Sequence, residues 1–157
     1  MVLGKTLGAA SLAWFQGLLF LLFLPLTGLP VTAAGLIEAI GLLFLISLAF
    51  TALGFLLAWR TDSTQGFHAI MNLVLFPLWM VCGSIFPPEK SHGWILWVMR
   101  ANPLTYSLAS LRRMLGGEAG IYTPGVAAGV IVTALLALVL LLAAASAASE
   151  RKARNFA

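Results

Sequence analysis

The polar side chains that could support catalysis are few and widely separated along the chain. Neither His68 nor His92 belongs to a His-Glu-x-x-His pattern, and Cys82 is the single cysteine, so no cysteine cluster can bind a metal. The sequence also has no Gly-x-Ser-x-Gly motif, which would indicate an activated serine. These observations give no support to metal or nucleophilic catalysis, and we expect the chain not to be an enzyme.

The segment Gly4-Lys5-Thr6 resembles the end of a phosphate-binding loop. Such a loop also needs a glycine five residues before Gly4 and a preceding strand, and the sequence provides neither. We therefore expect no nucleotide or other cofactor to bind this chain, and any ATP hydrolysis to come from a partner ATPase.

Glu38 is the one acidic residue within a long apolar stretch. A carboxylate inside a membrane would be a candidate for proton transfer. Its predicted place at the start of a span favours another interpretation, because the positive end of the helix dipole stabilises a carboxylate there.

The composition is that of an integral membrane protein. Of 157 residues, 61% are hydrophobic and 9% are charged, with a mean hydropathy of +1.02. Long apolar stretches leave no room for a soluble catalytic domain of the usual ~100 residues. The net charge of +4 arises from residues at the edges of apolar blocks, a pattern that orients membrane helices and does not indicate nucleic-acid binding.

Four stretches without charged residues cover 6–37, 39–59, 63–88 and 119–149, and each exceeds the ~20 residues that a spanning helix needs. We predict an all-α membrane protein with one transmembrane domain over residues 1–157 and spans over about 7–26, 36–59, 67–86 and 125–148. Basic residues at Lys5, Arg60 and in the C-terminal tail favour cytoplasmic termini. The pairs Gly4/Gly8 and Gly125/Gly129 fit the pattern of small residues in helix packing, but neither pair by itself identifies an interface.

A different pattern lies between the third and fourth spans. Asn102 can cap a helix that starts at Pro103, while the same proline disfavours helical geometry at the residue before it. Gly116 is a plausible end of that helix. We therefore predict two short helices over about 92–116, too short to span, that form a re-entrant or interfacial hairpin.

This region and the third span resemble a known family. The segments Pro77-Leu-Trp-Met-Val-Cys-Gly-Ser-Ile-Phe-Pro-Pro88, Trp94-Ile95, Ala101-Asn-Pro-Leu-Thr-Tyr106 and Leu111-Arg112 resemble, in this order, the permease subunits of type 2 ABC exporters of drugs, nodulation factors and polysaccharides. The start, Val2-Leu-Gly-Lys5, resembles the approach to the third span of such permeases. The match is to the C-terminal four of the family's six spans.

The resemblance implies a permease subunit of an ATP-driven exporter in the plasma (inner) membrane, forming part of the translocation path. It implies an ATP-binding partner subunit, together with a second permease chain, a polypeptide that supplies the first two spans, or both. The residues expected to form the outer gate are Phe86, Pro87, Asn102, Pro103, Tyr106 and Arg112. A second hypothesis is a four-span accessory or assembly protein, or a truncated permease, that moves no substrate. A gene for an ATPase beside this one would favour the first hypothesis.

Overall fold

The computed structural model describes residues 2–61, 63–85, 93–117 and 125–154, and these residues are helical without strands. Six α-helices follow in chain order: α1 (Val2–Leu21), α2 (Ala33–Arg60), α3 (Thr64–Trp79), α4 (Trp94–Ala101), α5 (Pro103–Met114) and α6 (Val126–Arg154). A short 3₁₀ helix, Leu24–Thr27, follows α1, and a π-helical turn, Met80–Ser84, continues α3. The fold class is therefore all-α.

Three segments are long and apolar enough to cross a membrane: Ala33–Arg60, Thr64–Ser84 and Val126–Ser149. They overlap the second, third and fourth spans that the sequence predicts. The first helix, α1, is not among the three, because Lys5 and Gln16 lie within its twenty residues. It also ends at Leu21, five residues before the predicted end. A fourth span therefore stays a prediction.

Side-chain caps mark the starts of α2 and α3. The Thr32 hydroxyl accepts a hydrogen bond from the Gly35 N–H at 3.1 Å, and the Ser63 hydroxyl accepts one from Gly66 at 3.0 Å. Both are N-caps that pair an otherwise unpaired N–H of the first turn.

Because α2 begins at Ala33, Glu38 lies in its second turn and is exposed. This corrects the expectation for Glu38, since the helix dipole acts mainly within the first turn.

The core lies where α2, α5 and α6 meet. Ala39, Leu42 and Met114 form a buried cluster there. Most other buried apolar residues of α2 and α6 are alanines, including Ala49, Ala52, Ala137 and Ala144, which is typical of closely packed membrane helices. Many other large apolar side chains are exposed, as expected for surfaces that face lipid.

A close contact joins the C-terminal end of α5 to the start of α2. A Cβ at Gly35 would overlap the Met114 carbonyl oxygen, and a Cβ at Gly116 would lie 2.7 Å from the Pro30 carbonyl oxygen. Gly116 has φ +76°, and the Gly117 N–H donates to the Arg112 carbonyl at 2.8 Å, which closes α5 with the backbone pairing common at helix ends. The Ser110 hydroxyl, near the end of α5, also donates to the Val126 carbonyl at the start of α6 at 3.3 Å. The end of α5 and the starts of α2 and α6 therefore share one end of the molecule.

Candidate functional site

Asn102 separates α4 from α5 and caps the second helix. Its backbone is extended, with φ −83° and ψ 113°, and its side-chain Oδ1 accepts a hydrogen bond from the Leu104 N–H at 3.0 Å. Pro103 is the first residue of α5, a position where the missing N–H removes no helical hydrogen bond. The break that the sequence predicts is present at this residue.

The other half of the Asn102 side chain connects the break to α3. Its Nδ2 donates to the Leu78 carbonyl oxygen at 2.7 Å, and the residue is 7% exposed. Leu78 lies two residues before the π-helical turn, where the regular α-helical pairing of carbonyls is interrupted. Both polar atoms of the buried amide are thus hydrogen-bonded.

Arg112 makes a second connection to the same part of the chain. Its Nη2 donates to the Gly83 carbonyl oxygen at 3.0 Å. Gly83 has φ 97° and ψ 7°, a conformation that glycine adopts without the steric cost of a Cβ. The bonds from Asn102 to Leu78 and from Arg112 to Gly83 together form the contact that we call the α3–α5 tie.

Tyr106 bridges the break itself. Its hydroxyl donates to the Arg100 carbonyl oxygen in the last turn of α4 at 2.6 Å. The Arg100 guanidinium lies 6.0 Å from the centre of the Trp97 ring. Tyr106 therefore holds α4 and α5 in a fixed relation across Asn102.

Sequence reasoning missed a polar contact between α5 and α6. The hydroxyls of Ser107 and Thr133 are 2.6 Å apart, and the two residues are 2% and 1% exposed. Thr133 Oγ1 also donates to the Gly129 carbonyl at 2.7 Å. In sequence these are ordinary hydroxyl residues, and only the packing of the two helices reveals that they pair.

Gly129 allows α5 and α6 to approach closely. A Cβ there would overlap Ser110 Oγ and lie 2.6 Å from the Tyr106 carbonyl oxygen, whereas a Cβ at Gly125 would meet nothing within 4 Å. Of the pair Gly125/Gly129, only Gly129 therefore lies in the contact between α5 and α6. Gly4 and Gly8 have open space around them.

Thr105 is the one described residue on this face of α5 with an unsatisfied hydroxyl. It is 6% exposed, and its Oγ1 has no hydrogen-bond partner. It shares the helix face of Asn102 and Arg112, since residues three and seven positions apart align on a helix. A buried hydroxyl without a partner costs free energy.

The remaining candidates from the sequence are either outside the described residues or make local contacts. Phe86, Pro87 and His92 lie outside the described residues. His68 is exposed, and the centre of its ring lies 5.5 Å from the centre of the Phe67 ring. The Cys82 thiol is buried and donates to the Trp79 carbonyl. In the described part of the chain, no three His, Cys, Asp or Glu side chains are grouped to hold a metal ion.

The side-chain hydrogen bonds of Asn102, Tyr106 and Arg112 described above go to backbone groups. Such a set of bonds positions helices and contains no paired acid and base and no activated nucleophile. The arrangement can therefore support a mechanical role, the joint placement of α3, α4 and α5.

Comparison of the chain with known proteins finds no matching curated protein and no matching solved structure. The family model for the ABC-2 type transporter matches residues 1–115, which include helices α1 to α5 and therefore the break at Asn102 and the α3–α5 tie. The chain therefore belongs to the ABC-2 type transporter family, whose members are the membrane-embedded permease components of ABC transporters.

Proposed function

We propose that this chain is the permease subunit of an ATP-driven exporter and that α4 and α5 re-enter the membrane to form its outer gate. The observation that carries the proposal is the α3–α5 tie, in a chain that matches the ABC-2 family over residues 1–115. Phe86 and Pro87 belong to the proposed gate as sequence predictions. The substrate passes along a path to which this chain contributes part of the wall.

The positions of the hydrogen bonds support a re-entrant pair. Asn102 bonds to Leu78 and Arg112 bonds to Gly83, so α5 runs in the same direction as α3 and its π-helical continuation. The two acceptors are five residues apart, about 7.5 Å of helix rise. Ser107 meets Thr133, seven residues and about 10 Å along α6 from its first residue. The break at Asn102 then lies deeper than Thr133, well within the length of α6.

A backbone break at that depth requires internal hydrogen-bond partners. Non-helical backbone within a membrane is tolerated only where protein or a water-filled cavity surrounds it. The Asn102 amide satisfies one N–H of α5 and one carbonyl of α3, and it is 93% buried. This is the environment that a permanent re-entrant turn needs.

In the mechanism that we propose, movement of α3 opens the gate. ATP binding to partner subunits displaces the long helices, and the α3–α5 tie makes α5 follow the end of α3. The Tyr106 bond to α4 then carries the first short helix along with the second. Opening therefore requires no unfolding of the short helices.

The proposal includes topology and partners. Both termini face the cytoplasm, α1 is a fourth span, and the protein lies in the plasma (inner) membrane. An ATP-binding subunit and either a second permease chain or a polypeptide with two further spans complete the transporter. Lys5 and Arg60 lie at the proposed cytoplasmic end, as the positive-inside rule expects.

The test is purification of the tagged chain from its native membranes in mild detergent, followed by mass spectrometry and an ATPase assay. We expect an ATP-binding subunit to co-purify and the complex to hydrolyse ATP. Recovery of the chain without any ATP-binding protein would overturn the proposed function.

A further inference from the structure

An open groove of about 630 Å³ lies between α1, α2 and α3, apart from the break at Asn102. Its walls run along α1 from Lys5 to Ala13 and along α2 from Ile46 to Ala58. Among its lining residues only Lys5, Ser47 and Thr51 have polar side chains. The groove is therefore largely apolar, and Lys5 is its one cationic lining residue.

The cation lies at one end of the groove. Helices α1 and α2 are antiparallel, because Trp14 Nε1 donates to the Ile40 carbonyl at 3.0 Å while Lys5 shares the groove with Ala58. Lys5, the fourth residue of α1, thus lies near the end of α2 at Arg60, and it is exposed. Arg60 ends a helix long enough to span a membrane, so Lys5 lies at headgroup level.

The length of the groove matches one leaflet. Twelve residues separate Ile46 from Ala58, which corresponds to about 18 Å of helix rise. Half of a hydrocarbon core is about 15 Å. A chain that enters beside Lys5 would therefore run through one leaflet without leaving the groove.

The walls of the groove suit an extended hydrocarbon chain. They are apolar along the helices that form them, apart from two hydroxyls and the cation at one end. A lipid acyl chain can therefore make apolar contacts along the groove while its headgroup lies beside Lys5.

We propose that this groove binds one anionic phospholipid, with an acyl chain against α1, α2 and α3 and the phosphate beside Lys5. A basic residue near an anionic lipid surface contributes about 1 kcal/mol, which corresponds to about fivefold in affinity. The apolar walls supply binding, and Lys5 supplies the preference for a negative headgroup.

The first experiment uses the purified full chain in mixed vesicles of phosphatidylglycerol and phosphatidylcholine with identical acyl chains. Native mass spectrometry after extraction counts the lipids retained per chain. We expect one retained lipid with a clear preference for phosphatidylglycerol. Lys5→Gln should lower that preference about fivefold, whereas Arg60→Gln, at the same end but outside the groove walls, should leave it unchanged.

A second pair of variants tests the location. Ala9 is exposed and lines the groove, so Ala9→Trp should displace the acyl chain and abolish retention. Leu12 is 63% exposed and does not line the groove, so Leu12→Trp should retain the lipid. The assay needs no partner ATPase, and its result is independent of the proposed function.

Three results would overturn the proposal. Equal retention of both lipids by the unmodified chain would show that there is no preference for a negative headgroup, and full retention by Ala9→Trp would show that the groove is not the binding site. Oxidative cross-linking of two chains through Ala9→Cys in vesicles would assign the groove to a second copy of the protein.

Discussion

At the residue scale, Asn102 combines two tasks that usually fall to different side chains. Its oxygen caps α5 and its nitrogen holds α3, so each half of one amide contacts a different helix. The sequence alone predicts the cap, because Asn followed by Pro is a local signal. It does not predict the bond to Leu78, since the acceptor is a backbone carbonyl 24 residues away.

Two substitutions of Asn102 separate these tasks. Asn102→Ala loses both bonds and should destabilise the protein by about 2 kcal/mol, whereas Asn102→Ser retains a capping hydroxyl and should cost about 1 kcal/mol. Thermal unfolding of the detergent-purified chain measures the difference. Equal midpoints for the serine variant and the unmodified chain would show that the bond to Leu78 contributes nothing.

Arg112 can be tested through the native thiol beside its acceptor. Cys82 is 3% exposed and precedes Gly83, whose carbonyl accepts from Arg112. Arg112→Gln should loosen the π-helical turn and raise the rate of maleimide labelling of Cys82 several-fold, because a partly buried bond to a charged donor is lost.

Arg60→Gln is the control for this experiment, since it removes the same charge at the end of α2, away from the bond to Gly83. We expect it to leave the labelling rate of Cys82 unchanged. If both variants label at the same rate, the α3–α5 tie does not hold the end of α3.

At the element scale, the contact between α5 and α6 depends on Gly129. Gly129→Ala would place a methyl group against Ser110 and the Tyr106 backbone, so the helices must move apart. Overpacking of this kind costs about 1 to 3 kcal/mol, which exceeds the ~1 kcal/mol that alanine gains over glycine in a helix.

Gly125→Ala is the control, because a Cβ there meets nothing within 4 Å. Thermal unfolding should show a lower midpoint for Gly129→Ala and little change for Gly125→Ala. Equal midpoints for the two variants would contradict the close approach of α5 and α6.

The elements also show what sequence patterns can predict. The length of the apolar stretches predicts the three candidate spans that contain α2, α3 and α6. The capping residue Asn102 predicts the break between α4 and α5. Both signals are local in the sequence. The π-helical turn and the positive φ of Gly83 depend on packing against Arg112 and could not be predicted. The end of α1 at Leu21 was also missed, since the following residues remain apolar as far as Leu26.

At the scale of the whole molecule, two features lie at different ends. The α3–α5 tie and the close contact of Gly35 with Met114 join helices at one end, whereas the groove beside Lys5 opens near the other. In the proposed exporter the first end faces outward and the second faces the cytoplasm. Motion of α3, which extends from the groove to the tie, would connect them.

The most direct test of the central claim, that the α4–α5 pair is the outer gate of an ATP-driven permease, is cysteine labelling at the break. Ala101 is exposed beside Asn102, so Ala101→Cys in a Cys82→Ala background offers a single thiol. We predict that a membrane-impermeant maleimide labels it from outside intact cells, at a rate that changes when the ATPase is trapped with vanadate. Labelling only from the cytoplasmic side, or at a rate indifferent to trapping, would contradict the account.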